Sequence, residues 1–217
     1  MKRNNPLPLA SLLFLHYPDA CCSLNFNSPY ECLVSVLLSA QCTDAKVNKV
    51  TPILFSRYPD ILSLSKADAE DIEKVIKPLG LAKAKAKNLQ KLASFLVENF
   101  KGEIPRDYEA LLSLPGVGNK TARVVLMEAF GVPSFPVDTH VGRISSRLGL
   151  VKEGLSPTQI EAALERIFPK EEQRRLHHCF IAFGRDICKA RSPECQRCFL
   201  NAQCAYFLKN KSFKTGR

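Results

Sequence analysis

A chain of 217 residues, 46% hydrophobic and 24% charged, is long enough for one large domain or two small ones with a real core. That balance excludes a disordered chain, and no run approaches the roughly 20 apolar residues a membrane span needs, so no membrane partner is expected. Lys and Arg outnumber Asp and Glu by 31 to 21, for a formal net charge of +10. From Lys170 to Arg217 eleven basic residues stand against four acidic ones, so +7 of the excess lies in the last quarter. Such an excess suits a polyanionic partner, with plain solubility as the simpler explanation.

The opening MKRNNPLPLASLLFLHYPDACC faintly resembles a signal peptide. Two prolines, the Asn4–Asn5 pair and the poor fit of YPDA to a cleavage site favour instead the first amphipathic helix of a cytoplasmic protein. Helical spacing then recurs along the chain. It predicts helices over Tyr30–Gln41, Asp44–Tyr58, Asp68–Leu79, Lys83–Phe100, Tyr108–Leu114, Asn119–Phe130, Thr139–Leu148, Ser156–Phe168 and Glu172–Ile187. Strand-like alternation is scarce, and the expected class is all-α with about ten short helices. The segment GVPSFP, Gly131–Pro136, reads as a hinge between two helical lobes, and a cleft between lobes is a common place for an active site.

Within LPGVGNKTARVV, Leu114–Val125, a glycine turn joins two helices. The N–H groups of Gly116, Val117 and Gly118, with the helix dipole, make an anion site, although a ligand-free αα-hairpin has the same pattern. Lys120 falls in the first turn of the following helix, where sequences usually place Asp or Glu. The positive helix terminus, and a desolvating cleft, would push its pKa down and leave a neutral amine able to form a Schiff base. A surface or phosphate-contact lysine is the plainer alternative. In FPVDTHVGR, Asp138 precedes a helix and so reads first as an N-cap; functionally it is a carboxylate that helps deprotonate an amine or stabilises positive charge on a sugar ring. His140, Arg143 and Arg147 either touch phosphates or orient that cap.

Of nine cysteines, Cys21, Cys22, Cys32, Cys42 and Cys179 are scattered and read as small buried hydrophobes. Cys188, Cys195, Cys198 and Cys204 form C-x6-C-x2-C-x5-C, four thiolates in one short loop. Zinc and a 4Fe–4S cluster both accept four cysteines; a zinc ribbon favours two CxxC knuckles and only one is present, which mildly favours the cluster. Lys189, Arg191 and Arg197 would more than offset the negative charge of the ligated site, leaving a basic loop suited to a phosphate backbone.

Four co-ordered motifs, LLSAQCTD (Leu37–Asp44), LPGVGNKTA, VDTHVGR and the cysteine loop, resemble the endonuclease III family of DNA glycosylases over roughly Ser28 to Cys204. The resemblance implies an all-α, two-lobed helix-hairpin-helix DNA glycosylase fold with a C-terminal 4Fe–4S cluster loop. Residues 22–134 would form a helical barrel domain with the hairpin near its end. Residues 1–21 and 135–217 would form the second lobe, carrying the loop at 188–204.

The resemblance further implies that Lys120 is the nucleophile at the sugar C1′ and Asp138 its carboxylate partner. Gln41, and more loosely Leu81, would fill the duplex where a damaged nucleotide has been extruded. Lys189 and Arg191 join the hairpin glycines, His140 and Arg143 as expected DNA contacts. The presence of Lys120, the cysteine loop and an end at Arg217 select the branch that excises oxidised or reduced pyrimidines and nicks by β-elimination. The partner is double-stranded DNA with damaged bases or abasic sites, bound by a monomer. Cys42, where the family more often has Ala, is a departure. The rivals are a non-catalytic DNA-binding iron–sulfur or zinc protein, and a zinc-bound nuclease, for which no clustered carboxylates are seen.

Overall fold

The computed structural model describes residues 6–210; the tail cations Lys211, Lys214 and Arg217 of the C-terminal charge excess, and the leader-like residues 1–5, lie outside them. The described chain is helical, with α1 Pro6–His16, α2 Pro29–Leu38, α3 Asp44–Arg57, α4 Ile61–Ser65, α5 Ala69–Ile76, α6 Ala82–Phe100, α7 Tyr108–Leu112, α8 Asn119–Phe130, α9 Thr139–Leu148, α10 Pro157–Ile167, α11 Lys170–Asp186 and α12 Ala205–Lys209. Short 3₁₀ turns occupy Lys77–Leu79, Cys195–Arg197 and Asn201–Gln203. Among the described residues there is no strand, and no helix is long and apolar enough to cross a membrane.

The chain folds as two compact units, Cys22–Val132 and the segments that precede and follow it. In the first, α6 is the spine. Ala86, Leu89, Leu92, Ala93 and Leu96 recur at helical spacing, so one face is buried while Lys83, Lys87 and Lys91 stay outside. That face packs against α4 and α5, and α2 packs against α8. Leu33, Leu38, Leu54, Ile72 and Val125 complete the core. In the second unit α1 and α9 both pack on α11, and Leu9 and Leu13 join Phe135, Phe180 and Phe183 in a separate core. Aromatic edges meet there: the Phe135 and Phe180 rings lie 5.4 Å apart, nearly perpendicular.

Two departures from expectation have local reasons. The helix predicted to reach Gln41 ends at Leu38, because Ser39 caps it and its hydroxyl donates to the Val36 carbonyl at 2.8 Å. Helix α4 is too short for periodicity to reveal. Its start is nevertheless written in sequence, as Asp60 and Ser63 form a reciprocal capping box.

In α11 Gly184 is the point of closest approach to α9. A Cβ there would lie 2.6 Å from His140 Nδ1 and 3.0 Å from Ile144 Cδ1. Gly184→Ala gains about 0.5–1 kcal/mol of helix propensity but overpacks the contact by about 1–3 kcal/mol. A net loss is expected, read as a fall of a few degrees in Tm.

Candidate active site

The hairpin is built from α7, the turn Ser113–Gly118 and α8. Asp107 starts α7 by accepting from the Ala110 N–H at 2.9 Å. Leu114 and Val117 are buried in the core and pin the turn from beneath. The Val117 N–H is taken by the Leu114 carbonyl at 3.1 Å. Val117 is thus an anchor of the turn; its expected place among ligand donors passes to its neighbours. Gly116 has φ +78°, which requires glycine or a strained residue. Gly118 is extended, and a Cβ on it would meet nothing. Neither strain nor packing within the protein therefore accounts for that second glycine.

Gly118 is the N-cap of α8 and supplies no side-chain cap, and the first turn holds no acidic residue. The N–H groups of this turn lack intrahelical partners and point outward. Lys120 stands on the same turn and is exposed, so the desolvation expected around it is not supplied by its own unit. Asn119 accepts from the Tyr108 hydroxyl at 2.8 Å, and Arg123 lies 4.2 Å over the Tyr108 ring, fixing α7 on α8.

In the same unit Gln41 and Leu81 share two properties. Both have left-handed backbones, φ 55° and φ 49°, and both are exposed, Leu81 by 61%. A non-glycine residue held there costs on the order of 1 kcal/mol, more for a bulky aliphatic one. The left-handed turn at Gln41 is what carries it off the end of α2.

In the second unit Asp138 is the N-cap of α9, accepting from the Val141 N–H at 2.8 Å through Oδ1. Oδ2 accepts no hydrogen bond among the described residues. His140 is half-buried, and burial holds its imidazole below the ordinary range, with the Asp138 carboxylate pulling the other way and Arg143 adding to the depression.

Arg143 donates to the Cys188 carbonyl through Nε at 3.1 Å and Nη2 at 3.0 Å, and to the carbonyls of Thr139 and Gly184 at 3.3 and 3.2 Å. Of its two expected roles, phosphate contact or orientation, this geometry serves orientation. Arg147, one turn on, donates to the carbonyls of Lys189 at 2.7 Å and Ala190 at 3.1 Å and to Cys188 Sγ at 3.5 Å. Its guanidinium also covers the Tyr206 ring at 4.8 Å. Of Arg147's place at the cysteine loop the sequence carries one signal, the i, i+4 spacing from Arg143.

The loop is less basic than its composition suggests. Lys189 pairs with Glu194 at 2.6 Å, and Arg197 with Glu194 at 2.9 Å and Asp186 at 3.3 Å. Arg191 is exposed with no ion pair among the described residues.

None of the nine cysteines forms a disulfide, and Cys188, Cys195, Cys198 and Cys204 line one small pocket with Arg147, Leu148 and Phe183. Burial, then the neighbouring thiols, push Cys195 up; burial pushes Cys198 to about 11 and also raises Cys204. Sulfurs that disfavour one another's ionisation are what a cationic core relieves. Among the described residues no three Cys, His, Asp or Glu side chains converge closely enough to hold a single metal ion. Four thiols facing one pocket are the donor set that a 4Fe–4S cluster takes.

The model of the HhH-GPD superfamily base excision DNA repair protein matches residues 34–170, and that of the iron–sulfur binding domain of endonuclease III matches residues 188–204. Endonuclease III of Bacillus subtilis (strain 168) is 47% identical over 188 residues, covering 87% of this chain and 86% of its own. A structure of a non-covalent endonuclease III–DNA complex superposes with a TM-score of 0.90 at 43% identity, covering 99% of this chain and 100% of that one. A trapped endonuclease III–DNA covalent intermediate gives a TM-score of 0.89 at 44% identity, covering 96% of this chain and 98% of that one.

Cys198→Ser is expected to abolish the broad visible absorbance of the purified protein and to lower its Tm, because the cavity wall loses a donor. A colourless wild type with stoichiometric zinc would contradict the cluster.

Proposed function

The chain belongs to the endonuclease III family within the HhH-GPD superfamily of base excision repair proteins, and from that membership we propose which residues do its work. It is a DNA glycosylase with abasic-site lyase activity on an all-α helix-hairpin-helix fold, it binds DNA, and it carries a 4Fe–4S cluster. Cys188, Cys195, Cys198 and Cys204 hold that cluster. Bound there, it supplies positive charge to four thiolates and fixes the loop as a structural pin.

Lys120 is the nucleophile, and the observation that carries this is the uncapped, acid-free first turn of α8 with an exposed amine at its second position. The N–H groups of Gly116 and Gly118 receive a phosphate, and the bare face of Gly118 lets the DNA backbone come close. Bound duplex supplies the desolvation that the free unit does not. Gln41 and Leu81 occupy the space left by the extruded nucleotide. Arg191 adds a phosphate contact from the cluster loop.

The Lys120 amine, deprotonated, gives its lone pair to C1′ as the C1′–base bond breaks and the base leaves with the electrons and a proton. Asp138 assists through its uncommitted Oδ2, taking the ammonium proton or stabilising the positive sugar. The sugar ring opens to a protonated Schiff base. Loss of the C2′ proton then expels the 3′ phosphate by β-elimination, and water releases Lys120. The substrate is duplex DNA bearing an oxidised or reduced pyrimidine or an abasic site, met in the cytoplasm by a monomer. A purely DNA-binding role is not favoured, since the relatives over most of the chain are endonuclease III enzymes, one of them trapped covalently on DNA.

Strand nicking on a duplex with one oxidised pyrimidine tests both groups. Lys120→Gln should abolish nicking while retaining binding that falls steeply with salt. Asp138→Asn is the sharper variant, because Asn caps a helix about as well as Asp. It should leave Tm nearly unchanged and slow excision by about 10²–10⁴-fold. Wild-type excision by Asp138→Asn would reduce Asp138 to a cap.

A further inference from the structure

Helix α6 opens with Lys83, Lys85 and Lys87 in alternation. Lys83 and Lys87 are not seated in the core; Lys85 turns its ammonium onto backbone carbonyls of two other elements. That ammonium donates to the Leu38 carbonyl at 2.9 Å and to the Leu79 carbonyl at 3.4 Å. Leu38 is the last residue of α2, three positions before Gln41. Leu79 ends the 3₁₀ turn, two positions before Leu81.

The late carbonyls of α2 at Ser35, Val36 and Leu37 are taken locally, by the Ser39 N–H, the Ser39 hydroxyl and the Ala40 N–H. That of Leu38 is taken by Lys85. The Lys85 backbone N–H in turn donates to the Leu81 carbonyl at 3.0 Å, closing the first turn of α6 over its left-handed N-cap. One residue thus joins the chain ends that carry Gln41 and Leu81, two of the exposed left-handed residues.

We propose that Lys85 is a positioning residue for nucleotide extrusion, clamping the two loops so that Gln41 and Leu81 enter the duplex as one preset unit. The inference rests on the assignment of those two residues as the duplex-filling pair. Lysine suits such a clamp, because a compact cation with three donors can serve two carbonyls from different elements at once. Bonds from a charged donor are also the stronger kind. Fixing both loops before contact removes an ordering cost that insertion would otherwise carry. The plainer alternatives are a scaffold lysine that only stabilises the fold, and a phosphate contact.

The test compares single-turnover cleavage on two substrates, a fully paired duplex with one oxidised pyrimidine and a single-stranded oligonucleotide with one abasic site, which has no stack to open. Lys85→Met should slow the duplex reaction about tenfold, the size of one lost charged hydrogen bond, and leave the single-stranded reaction unchanged. Lys85→Arg should restore most of the duplex rate. Should Lys85→Met fold poorly, Lys85→Gln, which keeps a donor on a shorter stem, should fall between Lys85→Met and wild type.

Equal losses on both substrates would make Lys85 a scaffold residue. A log K against log salt slope shallower by about 0.9 would make it a phosphate contact. In a Gln41→Ala/Leu81→Ala background Lys85→Met should add no further loss; a full tenfold additional loss overturns the clamp. If that double variant itself excises at the wild-type rate, the duplex-filling assignment fails and takes the clamp with it. If the double variant is slow and Lys85→Met is silent, only the clamp fails.

Discussion

Backbone donors at a helix start must find acceptors, and where the protein withholds them something else has to arrive. In the unit Cys22–Val132 the helices divide cleanly on this point. Helices α2, α4, α5 and α7 begin on side chains that accept from their own first turns, namely Ser28, Asp60, Asp68 and Asp107. Helices α3, α6 and α8 do not. Those three starts directly follow the Gln41 turn, the Leu81 turn and the Gly118 turn. The stretches assigned to DNA on other grounds are therefore the stretches where this unit leaves its helix starts open. Helices α6 and α8 go further and carry no acid in the first turn, so an anion there meets dipole and donors without competition.

In the second unit the cations near the cysteine loop are turned inward. Asp138 caps α9, and from that helix Arg143 and Arg147 donate to the loop carbonyls of Cys188, Lys189 and Ala190. Arg143 also holds the carbonyls of Thr139 and Gly184. Cations that composition offers to a phosphate backbone are bound internally instead. The consequence is a loop whose shape is coupled to the helix that presents Asp138. A cluster with no redox step to perform in base excision still has a mechanical place in this arrangement.

Much of this was legible in the residues. The all-α class follows from 3.6-residue periodicity that survives in α6, α9 and α11, and the cysteine spacing announces a metal centre without structure. The Gln41 boundary was not legible, since SAQ continues a helical pattern and only the Ser39 hydroxyl turning onto Val36 ends it. Val117 looked like one more residue of a ligand loop, and its burial beside Leu114 belongs to tertiary packing that no local pattern encodes. Lys85 was hidden for the opposite reason: among alternating lysines, the one facing inward is chosen by which side of α6 meets the core. The split between zinc and a cluster stayed open in the sequence because it depends on how far apart four sulfurs stand, a quantity set by the fold of the loop.

The central claim is that one particular amine forms the covalent bond to DNA. Borohydride reduction during turnover on an abasic-site duplex, followed by proteolysis and mass mapping of the adduct, tests it directly. The account predicts a single sugar-bearing peptide, modified at Lys120. An adduct on another residue would move the nucleophile elsewhere, and an enzyme that nicks the duplex without ever yielding an adduct would contradict Schiff-base chemistry altogether.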